Sequence, residues 1–539
     1  MAVTIPRKYM GMYCGNIEYE QAKLILGCRQ AKKIANLKRM VYNFDRDLVE
    51  QAIDEGRSVR SIARERGMRT EECLGELRDY QTSMVGFLYL SKRSITGDGV
   101  GLGKTVEISG LLNYIDYMGE MTRFIMAVES TALLQTQVEI MKFTGMCVVT
   151  LPSDAVKMKR AIKKIDWENV NGVIIQHSAL KSSELSSWLS LSLDENGKSK
   201  LFNTFILDES SIVKNPIRKT YEYTKNLCDI VDRVHFMNAT TFETNIMDIY
   251  HQVDVMDSSI LPAKYRIEER YCEFNKRTFW KKGRDGKAMQ VNSRKRCGYK
   301  NEREFKESLK LMYYGRCKKD IGIDIPHIYK VYEIEPTKEQ IKAIGQGYRY
   351  AEVLNSPENV VGLNMKMTRK DVPKLDRLCN LVENEFDGQQ VMIYCWHVNA
   401  QEAIKRELEE VGRKVVILNG RDEIKTRDEN RKQIMKDFND GTYDVIITNI
   451  KKSLNLHGGD VCIMYSAIST PSAMEQVRGR IDRNTDDRTK TFIMLLYKDT
   501  DEYNLITQVT KQRSKDARNL TIDAETAIDY FMASMEESE

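Results

Sequence analysis

Residues 98–105 read D-G-V-G-L-G-K-T, and the run that follows, Val106 to Tyr114, is apolar and helix-like. A glycine-rich turn feeding a helix gathers backbone N–H groups and the positive end of the helix dipole at one point, and that point suits phosphate. Gly101 and Gly103 supply the backbone freedom, Lys104 is spaced to reach the β and γ phosphates of ATP, and Thr105 offers a hydroxyl to Mg²⁺. The strict phosphate-loop pattern has Gly where this chain has Asp98, so the loop by itself leaves open a chance glycine-rich turn.

Two further elements bear on that alternative. Phe205-Ile206-Leu207 reads as a buried strand ending in Asp208-Glu209, and functional groups gather at the carboxyl ends of parallel strands. Asp208 suits the oxygen shell of Mg²⁺, and Glu209 is placed to orient and deprotonate an attacking water; the competing reading is a helix N-cap over 208–211. Far along the chain, Q-V-R-G-R-I-D-R at 476–483 sets Gln476, Arg480 and Arg483 at helical spacing. Arginines that close on a γ-phosphate are worth roughly 10³ to 10⁵ in rate, whereas a plain surface arginine cluster is worth nothing to catalysis.

Short apolar runs alternate with amphipathic stretches: Phe124 to Val128, Val173 to Ile175, Phe205 to Leu207 and Val234 to Met237. The pattern restarts with Val391 to Cys395, Val415 to Leu418, Val445 to Ile447, Val461 to Tyr465 and Phe492 to Leu496. Such runs read as buried parallel strands, so the expected fold class is α/β with two RecA-like parallel-sheet lobes. The expected organisation is a helical N-terminal segment over 1–43, a helix-turn-helix-like segment over 44–76, an ATP-binding lobe over 77–261, a basic and mainly helical insertion or linker over 262–330, a second lobe over 331–515, and an acidic tail over 516–539.

At 539 residues with 42% hydrophobic and 30% charged residues, the chain has the balance of a folded, soluble protein. It contains no run of eighteen apolar residues and no secretory-type leader, so the expectation is a cytoplasmic protein without a membrane partner. Its 11 cysteines include no C-x-x-C pair and read as reduced thiols. The net charge of +5 says little, but between Lys264 and Asp320 there are 19 Lys and Arg against 8 Asp and Glu. Lys281, Lys282, Arg294, Lys295 and Arg296 are the expected nucleic-acid contacts there; a solvated helical face is the plainer alternative.

Near the start, Asp45 to Glu55 reads as a helix, and 58–77 fits a helix-turn-helix with Ile62 and Ala63 inward, Gly67 at the turn and Thr70 to Leu77 as the second helix. Arg64, Arg66 and Arg69 would then lie near a DNA backbone; the competing reading is a small helical brace packed on the first lobe.

From about 77 to 515 these segments resemble, in order, the Snf2-like branch of helicase superfamily 2. L-R-D-Y-Q at 77–81 is similar to the adenine-reading segment, with Gln81, and D-G-V-G-L-G-K-T to the family's D-E-M-G-L-G-K-T, where Asp98 is the expected residue. V-E-S-T-A-L-L-Q-T-Q at 128–137, Q-H-S-A-L at 176–180 and D-E-S-S-I-V-K-N at 208–215 look like the next three motifs, with Ser211 at the family's histidine. A-T-T-F-E-T-N at 239–245 puts Thr241 at a family proline, Y-Y-G-R-C-K-K-D at 313–320 puts Gly315 at an arginine of the lobe-linking segment, and S-L-N-L at 453–456 puts Ser453 at a glycine.

The resemblance implies an ATP hydrolase that tracks along double-stranded DNA and displaces a DNA-bound protein cargo; compactness and the altered motifs suggest a bacterial or bacteriophage source. Two alternatives stand beside it: a strand-separating or branch-migrating helicase, which needs a wedge element not legible in the sequence, and a nucleotide-gated DNA-binding protein without a motor cycle. The sequence sets neither cargo nor oligomeric state.

Overall fold

The computed structural model describes residues 37–99, 101–238, 246–282, 288–316, 319–322, 327–345, 369, 372–419, 427–450, 454–468, 471–482, 488–498, 500 and 502. The chain divides into two units, residues 1–99 with 103–316, and 100–102 with 317–539.

The first unit opens with β1 (Val41–Tyr42), α1 (Arg46–Glu55), α2 (Val59–Glu65) and β2 (Leu74–Gly75). Then come α3 (Asp79–Ser91), β3 (Arg93–Thr96), α4 (Lys104–Tyr117), β4 (Phe124–Val128), α5 (Leu133–Thr144), β5 (Val148–Leu151), α6 (Ala155–Lys164), β6 (Gly172–Gln176), α7 (Ser183–Leu191), β7 (Thr204–Leu207), α8 (Lys219–Ile230), β8 (Arg233–Met237) and α9 (Ile246–Met256). After them follow α10 (Lys264–Tyr271), β9 (Cys272–Lys282), β10 (Ala288–Tyr299), α11 (Glu302–Leu309) and β11 (Tyr313–Tyr314). Seven of the strands form one all-parallel sheet in the order β11-β3-β8-β7-β4-β6-β5. Every residue of β4, β7 and β8 is buried; β4 is a continuous apolar run and β7 is one but for Thr204, as two covered faces require, while β8 also buries Arg233 and His235.

The second unit contains β12 (His327–Ile334), α12 (Lys338–Gly345), α13 (Pro373–Asn380), β13 (Val391–Tyr394), α14 (Val398–Glu410), β14 (Val415–Leu418), α15 (Arg427–Asn439), β15 (Val445–Thr448), β16 (Val461–Met464), α16 (Pro471–Arg478) and β17 (Lys490–Tyr497). Its six strands run parallel in the order β12-β17-β16-β13-β15-β14. Alternate strand residues feed two cores: Val391, Ile393, Ile447 and Ile463 join Leu378, Ala403 and Ile404, while Met392, Ile446, Met464 and Phe492 join Phe438, Met474 and Val477. Helices therefore cover both faces, as the α/β expectation requires.

Two expectations are corrected. The second helix expected at Thr70 to Leu77 is one 3-10 turn, Thr70–Cys73, followed by β2, whose residues pair with β1 (Val41 with Gly75, Tyr42 with Leu74). The backbone groups that a helix would have satisfied internally go to that ribbon instead, and Asn43 N donates to Cys73 O at 2.8 Å. The segment is a brace on the first lobe. Arg60 donates to Thr144 O (2.8 Å), Asp116 (2.8 Å) and Asn113 (2.9 Å), and Gly145, at φ 68°, leaves no room for a Cβ beside Arg60 and Phe44. Arg64, Arg66 and Arg69 are exposed.

Among the described residues of the insertion the α-helices are α10 and α11. Between them β9 and β10 form a two-stranded antiparallel ribbon, with a bulge between Arg296 and Gly298. Its strands interleave basic and apolar residues without a continuous apolar run, so they carry no buried-strand signal. The ribbon's base is fixed to the flanking helices: Tyr271 stacks edge-on against Phe305 at 5.1 Å and donates to Glu304 at 2.9 Å, and Arg296 lies 3.6 Å from Glu268. No helix among the described residues is long and apolar enough to cross a membrane.

Candidate functional site

At the carboxyl edge of the first sheet, the chain leaves β3 into the glycine-rich loop and leaves β7 into Asp208-Glu209, with β8 between the two strands. β4, β6 and β7 each turn there into a 3-10 helix: Ser130–Ala132, His177–Lys181 and Ser210–Val213. The glycine-rich loop and the segments that follow β4, β6 and β7 thus lie along one edge, where a parallel sheet presents its functional groups.

Gly101 and Gly103 adopt φ of 86° and 89°, left-handed backbone that uses the conformational freedom glycine brings to the loop. Gly103 is also hemmed in, because a Cβ there would lie 2.6 Å from Gln81 Nε2. Gln81 is therefore seated against the loop, with its Oε1 accepting from Arg78 N at 3.1 Å to finish the start of α3. Lys104, the first residue of α4, donates its ammonium to Asp98 O (2.8 Å) and Gly99 O (3.3 Å). Thr105 follows it on the first turn.

Asp208 accepts from Glu209 N at 3.0 Å through Oδ1, and its carbonyl is bonded to His177 Nε2 at 2.8 Å. Glu209 itself sits at φ 50° and ψ 54°, left-handed backbone that a residue with a side chain seldom adopts. Directly behind it, buried Ser210 donates to Gln252 Oε1 at 2.5 Å, which pins the turn to α9.

Asp98 does not face outward. It is wholly buried, and Arg316 donates to it from the backbone N (3.0 Å), Nε (3.3 Å) and Nη2 (2.6 Å). The same Nη2 reaches Glu107 Oε1 on α4 at 2.8 Å, while the guanidinium lies 5.0 Å from the rings of both Tyr80 and Tyr314 and donates to Tyr80 O. Burial pushes the Glu107 carboxyl well above the usual range, the adjacent Asp98 raises it further, and Arg316 opposes the rise. Burial pulls the Arg316 guanidinium down, but Asp98 and Glu107 outweigh it and hold its proton more firmly than usual. Sequence reasoning missed Glu107, Tyr80 and Arg316 as site residues; a lone Glu in the apolar run after the loop was the available signal.

In the second unit Gln476 and Arg480 are buried. Arg480 donates to Gln476 O (2.7 Å) and Leu454 O (3.0 Å), tying α16 to the segment 454–456. Its neighbour Arg478 lies 5.0 Å from each of the stacked rings of Tyr329 and Phe492. Arg483, Ser453, Thr240 and Thr241 lie outside the described residues, as do the segments 1–36 and 516–539. On the ribbon, register sets Lys281 opposite Met289, Lys282 opposite Ala288 and Lys295 opposite Asn275; Arg294 stacks over the Phe274 ring at 3.5 Å.

Residues 373–485 match the family model of the helicase conserved C-terminal domain. Among solved structures, the Sulfolobus solfataricus SWI2/SNF2 ATPase core in complex with double-stranded DNA is 17% identical, covering 86% of this chain and 96% of that one at a TM-score of 0.38. Saccharomyces cerevisiae Dbp5 bound to RNA and ADP BeF3 is 13% identical, covering 78% and 83% at a TM-score of 0.47. No curated protein matches. A glycine-rich loop and a carboxylate pair lie at the edge of one parallel sheet, and the helicase C-terminal match falls on the other, in an α/β fold of two parallel-sheet lobes. The ordered motifs along the chain resemble those of the Snf2-like branch of helicase superfamily 2.

Proposed function

We propose that the protein hydrolyses ATP and uses the cycle to move along double-stranded DNA. The observation that carries the hydrolysis is the meeting of Lys104, Thr105, Asp208 and Glu209 at one edge of one sheet, from segments a hundred residues apart in the chain. Loop N–H groups and Lys104 bind the phosphates, Gln81 borders the loop for the base, and Glu209 takes a proton from the attacking water. The oxygen donors Thr105 and Asp208 suit a hard cation, so these two residues would hold Mg²⁺, which supplies charge neutralisation at the phosphates when bound. Gln476, Arg480 and Arg483 are the arginine-motif residues we assign to the same cycle, and the basic ribbon, with Lys281, Lys282, Arg294, Lys295 and Arg296, is the DNA-tracking surface.

One observation favours a second reading. A strand-separating helicase needs a wedge, and the β9–β10 ribbon, 11 and 12 residues long, reaches roughly 35 Å from its base if extended. ATP turnover measured with no nucleic acid, duplex DNA, forked or branched DNA, single-stranded DNA and RNA separates the readings. Stimulation chiefly by duplex is the expected outcome. Preference for forked or branched DNA makes the ribbon a wedge, and nucleotide binding without turnover in any arm leaves a nucleotide-gated binding protein.

A further inference from the structure

The exit strand of the first unit is built into the nucleotide loop. β11 is the edge strand of the sheet, next to β3, and its alignment continues past the strand ends: Ile95 N donates to Met312 O (2.7 Å), Gly97 N to Tyr314 O (2.8 Å) and Gly99 N to Arg316 O (2.8 Å). Gly315 lies so close to this loop that a Cβ there would be 2.9 Å from the carbonyl carbon and oxygen of Gly97. Arg316 then closes the contact from the other side, gripping the buried Asp98 through three donors and Glu107 through one. Immediately after Arg316 the chain passes into the second unit.

Two grips therefore converge on one peptide. The Asp98–Gly99 carbonyls receive the Lys104 ammonium, while the Asp98 carboxylate and the Gly99 amide are held by Arg316. Phosphate competes with those carbonyls for Lys104, so binding must change the balance on the peptide that the exit strand holds. We propose that Arg316 is a positioning residue for the nucleotide loop, a latch through which occupancy of the loop orders the strand by which the chain leaves the first unit. Its bidentate fork, clasped between the Tyr80 and Tyr314 rings, is geometry a lysine cannot reproduce. The proposal rests on the nucleotide reading given above.

The test is amide hydrogen exchange on the full chain, with and without ADP or a non-hydrolysable ATP analogue and Mg²⁺, resolving Gly99, residues 101–105 and Arg316. In the unaltered protein nucleotide is expected to slow the Gly99 and Arg316 amides together with the loop, by roughly tenfold. In Arg316→Gln the loop is still slowed, the slowing at residue 316 disappears, and nucleotide affinity falls roughly tenfold; Arg316→Lys behaves as Arg316→Gln does. Slowing of 101–105 with Gly99 and Arg316 unchanged in the unaltered protein overturns the latch, whether or not the variants fold, and so does full rescue by Arg316→Lys. No slowing at any of these positions removes the nucleotide reading itself, and the latch falls with it.

Discussion

Glu209 is held in left-handed backbone, which costs a residue with a Cβ about 1–3 kcal/mol, and such strain persists where the surroundings fix it. The Ser210 bond to Gln252 and the Asp208 bond to Glu209 N are the fixing contacts. Glu209→Gln should lower ATP turnover by about 10² or more while ATP still binds, and Lys104→Ala should abolish both; single-turnover and equilibrium-binding assays read the two apart. Glu209→Gly should also lose turnover yet raise stability, by up to about 1 kcal/mol in chemical denaturation, because glycine adopts that backbone freely. The departure at Gly315 has a steric reason: restoring the family's arginine drives a Cβ into Gly97, so Gly315→Arg should destabilise the first unit by about 1–3 kcal/mol. Individual residues of the loop and the carboxylate pair were legible because each stands in a short local pattern. Arg316 was legible as part of Y-Y-G-R-C-K-K-D, but its grip on Asp98 was not, since the two are 218 residues apart and no local spacing links them.

Among the elements, buried strands announced themselves and solvated ones did not. β4, β7, β8, β13, β15 and β16 are wholly buried, and the sequence reading anticipated all six. The β9–β10 ribbon went unseen because neither strand contains an apolar run; Asp285-Gly286 between them was the hairpin signal available. Replacing Lys281, Lys282 and Lys295 with Gln should weaken duplex binding at every sequence and flatten the salt slope, by about 0.9 for each phosphate that is no longer neutralised. Arg294 and Arg296 suit that test less well, because the Phe274 stack and the Glu268 pair also hold the ribbon together. A different element sets an acid limit. His235 on β8 is buried beside Ser94 Oγ (2.9 Å), and burial, reinforced by Arg233 and Arg93, lowers its pKa to about 3. The native chain therefore refuses a proton that the unfolded chain accepts below about pH 6.5, so its stability is present above that pH and falls by up to about 1.4 kcal/mol per unit as pH drops toward 3. His235→Gln should flatten that limb in denaturation series between about pH 7 and about pH 5.

At the scale of the whole chain, two sets of apolar runs told of two parallel sheets, and both are present with helices on their faces. What the runs did not tell is that the first sheet borrows its edge from residues beyond the ribbon. A fragment ending before Met312 lacks β11 and Arg316, leaving β3 without its outer neighbour and Asp98 and Glu107 buried without their cation. Removing one member of such a buried set costs about 3–5 kcal/mol, so the fragment should bind ATP far more weakly than a chain extended through the linker, as titration calorimetry would show. During synthesis the glycine-rich loop leaves the ribosome early and its latch arrives only after the whole ribbon has been made. The sheet of the nascent lobe thus lacks its edge, and Asp98 its guanidinium partner, until the chain has been made as far as Arg316.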